Sequence, residues 1–294
     1  MRLLERTPVR IAAFAVALVA VYAVALGIGT RVGPVEEPAA ADSTHGHDHG
    51  TGDTKHAADL PGGVMVSQDG YTLRLTQAQV PAGPDRTVAF VIEGPDGRPV
   101  TSYTEEHEKD LHLIAVRRDF SGYQHVHPAL GANGTWKTTL DLTSGAWRVF
   151  ADFTPAGGQG LTLGADLSVP GPVRASRAIP VTRTATVDGY TVTLSGDLVA
   201  GEHSTLTMTV ARDGAPVTDL QTYLGAAGHL VALREGDVAY LHVHPGGEPG
   251  DGRTRPGPDV EFGIEVPSAG RYHLYFDFRH DGVVRTAPFT LEAS

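Results

Sequence analysis

The chain carries the string His-Val-His-Pro twice, ending at Pro128 and at Pro245, and these residues are the best equipped for chemistry. Each string sets two imidazoles one residue apart, His125 with His127 and His242 with His244. A third histidine precedes each pair, His112 in the first case and His229 in the second. Neutral imidazole nitrogen is a common ligand for borderline divalent ions. Three per copy suit a His₃ site whose fourth position takes water or a carboxylate, for which Asp152 and Asp277 stand at matched places. A separate group lies upstream in THGHDHGTGDTKH, where His45, His47, His49 and His56 stand among Gly, Asp and Thr. Imidazoles on such a chain fold around Cu(II), Zn(II) or Ni(II). A solubilising linker is the other reading of the same residues.

No cysteine occurs among the 294 residues, and sulfur is confined to Met1, Met65 and Met208. Disulfide frameworks, thiolate zinc sites and iron–sulfur clusters are therefore excluded, and a Cu(I) site built from sulfur is disfavoured. Imidazoles with an occasional carboxylate favour copper as Cu(II), which leads on affinity order, with Zn(II) as the alternative. No G-x-S-x-G elbow, H-E-x-x-H motif or phosphate-cradling glycine loop is present, and nothing else specifies an enzyme. With 34 acidic residues against 23 Lys and Arg, a formal charge of −11, there is no basic stripe for nucleic acid.

The elements that must position these histidines read as strands. Runs such as TVAFVIEG, DLHLIAVRRD and WRVFADF are short, rich in Val, Ile, Thr and aromatics, and bounded by Asp–Gly turn signals. Side chains alternate along a strand, so Tyr123, His125 and His127 share one face, with the two imidazoles about 7 Å apart along the backbone. In HLIAV, Leu113 and Ala115 oppose Ile114 and Val116, so both faces are apolar, and the second face is expected to be covered by a sister domain. The histidines also have a second reading: Pro128 and Pro245 end a strand in each copy, and the imidazoles there can serve as hydrogen-bonded structural groups. His107, in the acidic stretch TEEHEKD, has Leu224 as its counterpart and reads as part of a solvated loop or as a ligand at the mouth of the first site. His203, His273 and His280 have no partner in the first copy and are expected to be surface or incidental residues.

The chain is duplicated. DGYTLRL at Asp69 recurs as DGYTVTL at Asp188, and the histidine block recurs at a constant offset of 117 residues. Two all-β, immunoglobulin-like β-sandwich domains are expected, at 61–170 and 181–294, although the Cys and Trp hallmarks of true immunoglobulin domains are missing. Residues 31–60 read as a disordered, His-rich linker. Residues 1–30 read as a transmembrane anchor, because Ile11 to Ile28 is an uncharged apolar run of eighteen residues preceded by Arg2, Arg6 and Arg10. That charge bias puts the N-terminus in the cytoplasm and the rest outside. The competing reading is a cleavable signal peptide, with Ala39, Ala40 and Ala41 as the nearest small-residue triplet.

The strings HEKDLHLIAVRRDFSGYQHVHP and GAAGHLVALREGDVAYLHVHP resemble those of exported actinobacterial proteins of the YtkA-like kind, which are described as heavy-metal-binding. The resemblance covers residues 62 to 290. It implies a β-sandwich and an association with copper, and supplies no ligands. Together these readings describe a membrane-anchored extracytoplasmic protein that captures, buffers or delivers copper, its partners being a divalent metal ion, the membrane and another envelope or copper-transport protein. The alternative is a non-catalytic structural or interaction module of the cell envelope.

Overall fold

The computed structural model describes residues 60–173, 179–241, 243–247, 251 and 253–294. The expected membrane anchor, the linker with His45, His47, His49 and His56, and His242 lie outside the described residues. Among the described residues no helix is long and apolar enough to cross a membrane.

Ten strands form the first repeat: β1 (Ser67–Gln68), β2 (Tyr71–Leu75), β3 (Gly83–Glu93), β4 (Tyr103–Thr104), β5 (Leu111–Arg117), β6 (Gln124–Val126), β7 (Ala129–Leu130), β8 (Thr135–Leu142), β9 (Gly145–Pro155) and β10 (Leu161–Val169). Ten more form the second: β11 (Thr184–Val187), β12 (Tyr190–Ser195), β13 (His203–Arg212), β14 (Ala215–Pro216), β15 (His229–Arg234), β16 (Tyr240–Leu241), β17 (Val243–Pro245), β18 (Asp259–Glu265), β19 (Gly270–His280) and β20 (Val283–Ala293). Four of the tight hairpins turn on Asp–Gly pairs with both residues at positive φ, for instance Asp188 at 47° with Gly189 at 81° and Asp213 at 50° with Gly214 at 79°. This is the type I′ geometry whose twist matches that of the flanking strands.

Each repeat is a two-sheet sandwich, and the two repeats share one topology. Sheet order β1-β2-β3-β8-β7 faces β10-β9-β5-β6 in the first, and β11-β12-β13-β18-β17 faces β16-β15-β19-β20 in the second. Alternate residues of each sheet fill the space between them. Leu73, Phe90, Leu113, Trp136 and Trp147 lie in the first core, and Tyr190, Met208, Phe262, Phe276 and Phe289 in the second. The molecule is thus an all-β, immunoglobulin-like tandem.

The outer faces of β5 and β15 carry their own apolar cluster. Leu111, Leu113 and Ala115 point into the first sandwich, whereas Ile114 and Val116 join Phe120, Phe150, Val231, Leu233, Tyr240 and Tyr275 in a third core between the repeats. Ile114, Val116, Val231 and Leu233 are wholly buried there, each contributing about 1.5–3 kcal/mol of burial. The doubly apolar HLIAV stretch is explained by this seam, which the sister domain covers. Tyr123 stacks on Tyr275 at 3.9 Å, and the Tyr275 hydroxyl donates to the Phe120 carbonyl at 2.7 Å. The entering chain also crosses the seam: Gly63 N–H donates to the Thr162 carbonyl of the first repeat, and the Gly62 carbonyl accepts from Tyr240 N–H of the second. Gly63 sits at φ 72°, and a Cβ there would lie 2.3 Å from the Phe150 ring, so only glycine fits.

Candidate metal centre

Strand alternation decides where the histidines point. His112 shares the face of Ile114 and Val116 on β5, and His229 shares the face of Val231 and Leu233 on β15, so both lie in the seam rather than inside a sandwich. Antiparallel pairing sets His125 of β6 opposite Ile114, and His127 follows at the end of the same strand. One ring nitrogen each from His112, His125 and His127 lies within 4.8 Å of the other two. His112 Nδ1 is 3.1 Å from His125 Nε2 and 3.2 Å from His127 Nε2. Nitrogens bound tetrahedrally to an ion at about 2.0–2.1 Å stand about 3.3–3.4 Å apart, close to these separations.

The outer nitrogens of two rings are tied, which fixes their tautomers. His112 Nε2 is 3.1 Å from the Glu106 carbonyl, an acceptor only, so that nitrogen carries the hydrogen. Burial, and then the neighbouring His125, push the His112 pKa down to about 4, so the neutral ring presents a lone pair at Nδ1. His125 Nδ1 donates to Asp277 Oδ2 at 2.8 Å, and Asp277 Oδ1 accepts from the Thr286 hydroxyl at 2.5 Å. His125 Nε2 then faces the His112 lone pair 3.1 Å away. Two ring nitrogens at that distance are satisfied by a proton or a cation between them. Burial, and then His125, push the His127 pKa down to about 3, so that ring is neutral. Three imidazoles converging on one point, two of them held from behind and one of those by a carboxylate, form the donor arrangement that a divalent ion requires.

The second repeat enters the site in ways that spacing alone did not indicate. Asp277, expected at the fourth ligand position, lies behind His125 and orients it. The His229 ring stands 5.6 Å from His112 and 5.2 Å from His125. Tyr223 lies 6.4 Å from both His125 and His127. Asp152, the counterpart of Asp277, accepts from the Thr162 hydroxyl at 2.9 Å and faces the Tyr240 hydroxyl at 3.5 Å. His244 is exposed on β17, which has crossed to the other sheet and sets it opposite Gly263. His107 stands at the edge of the cluster, its ring 6.2 Å from His112 and 5.3 Å from His229. Its backbone φ of 49° matches the 56° of its counterpart Leu224, so the loop keeps its shape while the side chain changes.

Two of the histidines expected to be incidental are structural. His273 is 3% exposed, with Thr290 Oγ1 at 3.1 Å and Glu235 Oε2 at 3.2 Å, and stacks on Phe120 at 3.8 Å. His280 is held by the Tyr190 hydroxyl at 2.7 Å and by Asp219 at 3.1 Å. Position on β19 gives the signal that was missed: His273 alternates with the core residues Tyr272 and Leu274, on the face that packs against the first repeat. His203 is exposed, as expected.

Fold and site together define a tandem of immunoglobulin-like sandwiches with a histidine cluster in its seam. The chain belongs to the family described as a domain of unknown function, DUF8832, which matches residues 66–171 and again 185–294. No curated protein matches it. Among solved structures it is similar to the Escherichia coli adhesin FdeC, at 18% identity over 78% of this chain and 65% of that one, with a TM-score of 0.25. It is also similar to the Yersinia pseudotuberculosis adhesin InvE, at 13% identity over 76% and 59%, with a TM-score of 0.24. The chain spans less than two thirds of the length of either, and the likeness is one of fold.

Proposed function

We propose that this tandem is a non-catalytic binding module, anchored outside the cytoplasm by residues 11–28, that holds a divalent ion at His112, His125 and His127. The observation that carries this reading is the convergence of three imidazole nitrogens, with the far nitrogens of His112 and His125 held by Glu106 and Asp277. Copper as Cu(II) leads on affinity order and on the resemblance to YtkA-like proteins, and Zn(II) is the alternative. A cluster set in a domain seam beside Tyr223 has the character of a holding site, consistent with an envelope protein that captures, buffers or passes on its ion.

A second reading is favoured by the contacts the triad already makes. His112 and His125 each reach a protein acceptor, so the cluster also serves as a polar seam between two sandwiches of an interaction module. One experiment separates the two. Full-length chain with His45, His47, His49 and His56 replaced by serine is titrated with Cu(II) and with Zn(II), following stoichiometry and melting temperature. One bound equivalent with a rise in melting temperature, abolished by His125→Ala with His127→Ala, supports the ion site. No rise with either ion, or a rise that survives both substitutions, leaves the purely structural seam.

A further inference from the structure

We propose that His229, contributed by the second repeat, is the fourth ligand of the ion held by His112, His125 and His127, making a four-imidazole site that straddles the seam. The inference rests on the triad reading above and assigns the position that water or a carboxylate would otherwise fill. Two independent observations point to it. The first is ring spacing. Imidazoles bound at about 2.0–2.1 Å to the corners of a tetrahedron hold their ring centres about 5.2 Å apart. Within the triad the centres are 5.3, 5.0 and 5.0 Å apart. His229 keeps this spacing to two of the three, at 5.2 Å from His125 and 5.6 Å from His112; it stands outside the group of nitrogens within 4.8 Å of one another, so its ring moves inward on binding.

The second observation is an orphan. His229 Nδ1 is buried and has no hydrogen-bond partner, a costly condition for a polar atom in an interior. A neutral imidazole has one lone pair, and with that lone pair on Nδ1 a cation would satisfy the buried nitrogen. The carboxylate candidates are otherwise engaged: Asp277 holds His125 from behind, and Asp152 is held by the Thr162 hydroxyl. His107, 6.2 Å from His112, stands farther out and is exposed.

Four imidazoles close the coordination sphere, which suits holding rather than turnover. A tetrahedral set of nitrogens also suits Zn(II) better than Cu(II), whose preference is tetragonal. The ion would be bound by residues more than a hundred positions apart, three from one sandwich and one from its sister, so loading it ties the repeats together.

The test uses the full-length chain with the four linker histidines replaced by serine, labelled with ¹⁵N on histidine and titrated with Zn(II). Long-range proton–nitrogen spectra report each ring nitrogen, and His229→Gln identifies the His229 signals. The inference expects four ring nitrogens, His229 Nδ1 among them, to move together to the metal-bound position at one equivalent. His229→Gln should keep one equivalent, with three shifted nitrogens and affinity reduced by at least the roughly 10- to 100-fold that outer-shell partners are worth. If three nitrogens shift while His229 Nδ1 stays, and His229→Gln binds as tightly as its parent, the fourth-ligand assignment is wrong and the triad stands. If no ring nitrogen shifts in the parent, the triad reading falls and this one with it.

Discussion

A neutral imidazole has one lone pair to offer, and a partner on its far nitrogen decides which way that lone pair faces. At His125 the decision is made by Asp277, 152 positions away in the chain and 2.8 Å away in space. The carboxylate also raises the basicity of the ring, and such outer partners are commonly worth 10- to 100-fold in affinity. Asp277→Asn should therefore weaken Zn(II) or Cu(II) binding by roughly 10- to 100-fold while leaving one ion per chain, as measured by competition with a chelator of known affinity. An unchanged affinity would show that Asp277 serves the seam alone. His112, His125 and His127 were legible in the sequence because a period of two puts His-x-His on one side of a strand. Asp277 as a support and His229 as a neighbour were not. Spacing within a repeat says nothing about which residues of the other repeat will face it.

Strand β5 works on both faces, and the two faces predict different failures. Leu113 belongs to the first sandwich core and Ile114 to the seam, and both are fully buried. Truncating either to alanine should cost about 2–5 kcal/mol. Leu113→Ala should lower the stability of the first sandwich, whereas Ile114→Ala should loosen the docking of one sandwich on the other. Calorimetry should show the second variant unfolding in two resolved transitions, and a single transition for both variants would contradict this division. The apolar run HLIAV announced that both faces are covered, and β15 repeats it as HLVAL, so the existence of the seam was readable. Its polar end was not. The two loops that flank it keep one backbone geometry, yet carry His107 in one repeat and Leu224 in the other, a difference that makes the seam asymmetric.

Across the whole molecule, the buried histidines make stability depend on pH. In the unfolded chain an imidazole titrates near about 6.5, whereas His112 and His127 are pushed down to about 4 and about 3 by burial. His229 is held well below its ordinary value and His273 is lowered, burial being the main cause in both. As pH falls from about 6.5 towards 4, the unfolded chain takes up protons that the folded chain refuses, so stability is lost through that window and is steady above it. The urea midpoint of the ion-free protein should drop between pH 7 and pH 4.5, and His112→Gln with His127→Gln should flatten that slope. A midpoint unchanged over the interval would contradict the burial of neutral rings. The chain's route into this body has a mechanical consequence. Gly62 and Gly63 are clamped between the repeats, bonded to Tyr240 on one side and Thr162 on the other. Tension arriving along the preceding residues is therefore delivered to both sandwiches at once, at the line where they meet. The joint that shelters the imidazoles is also the first part of the fold to feel a pull.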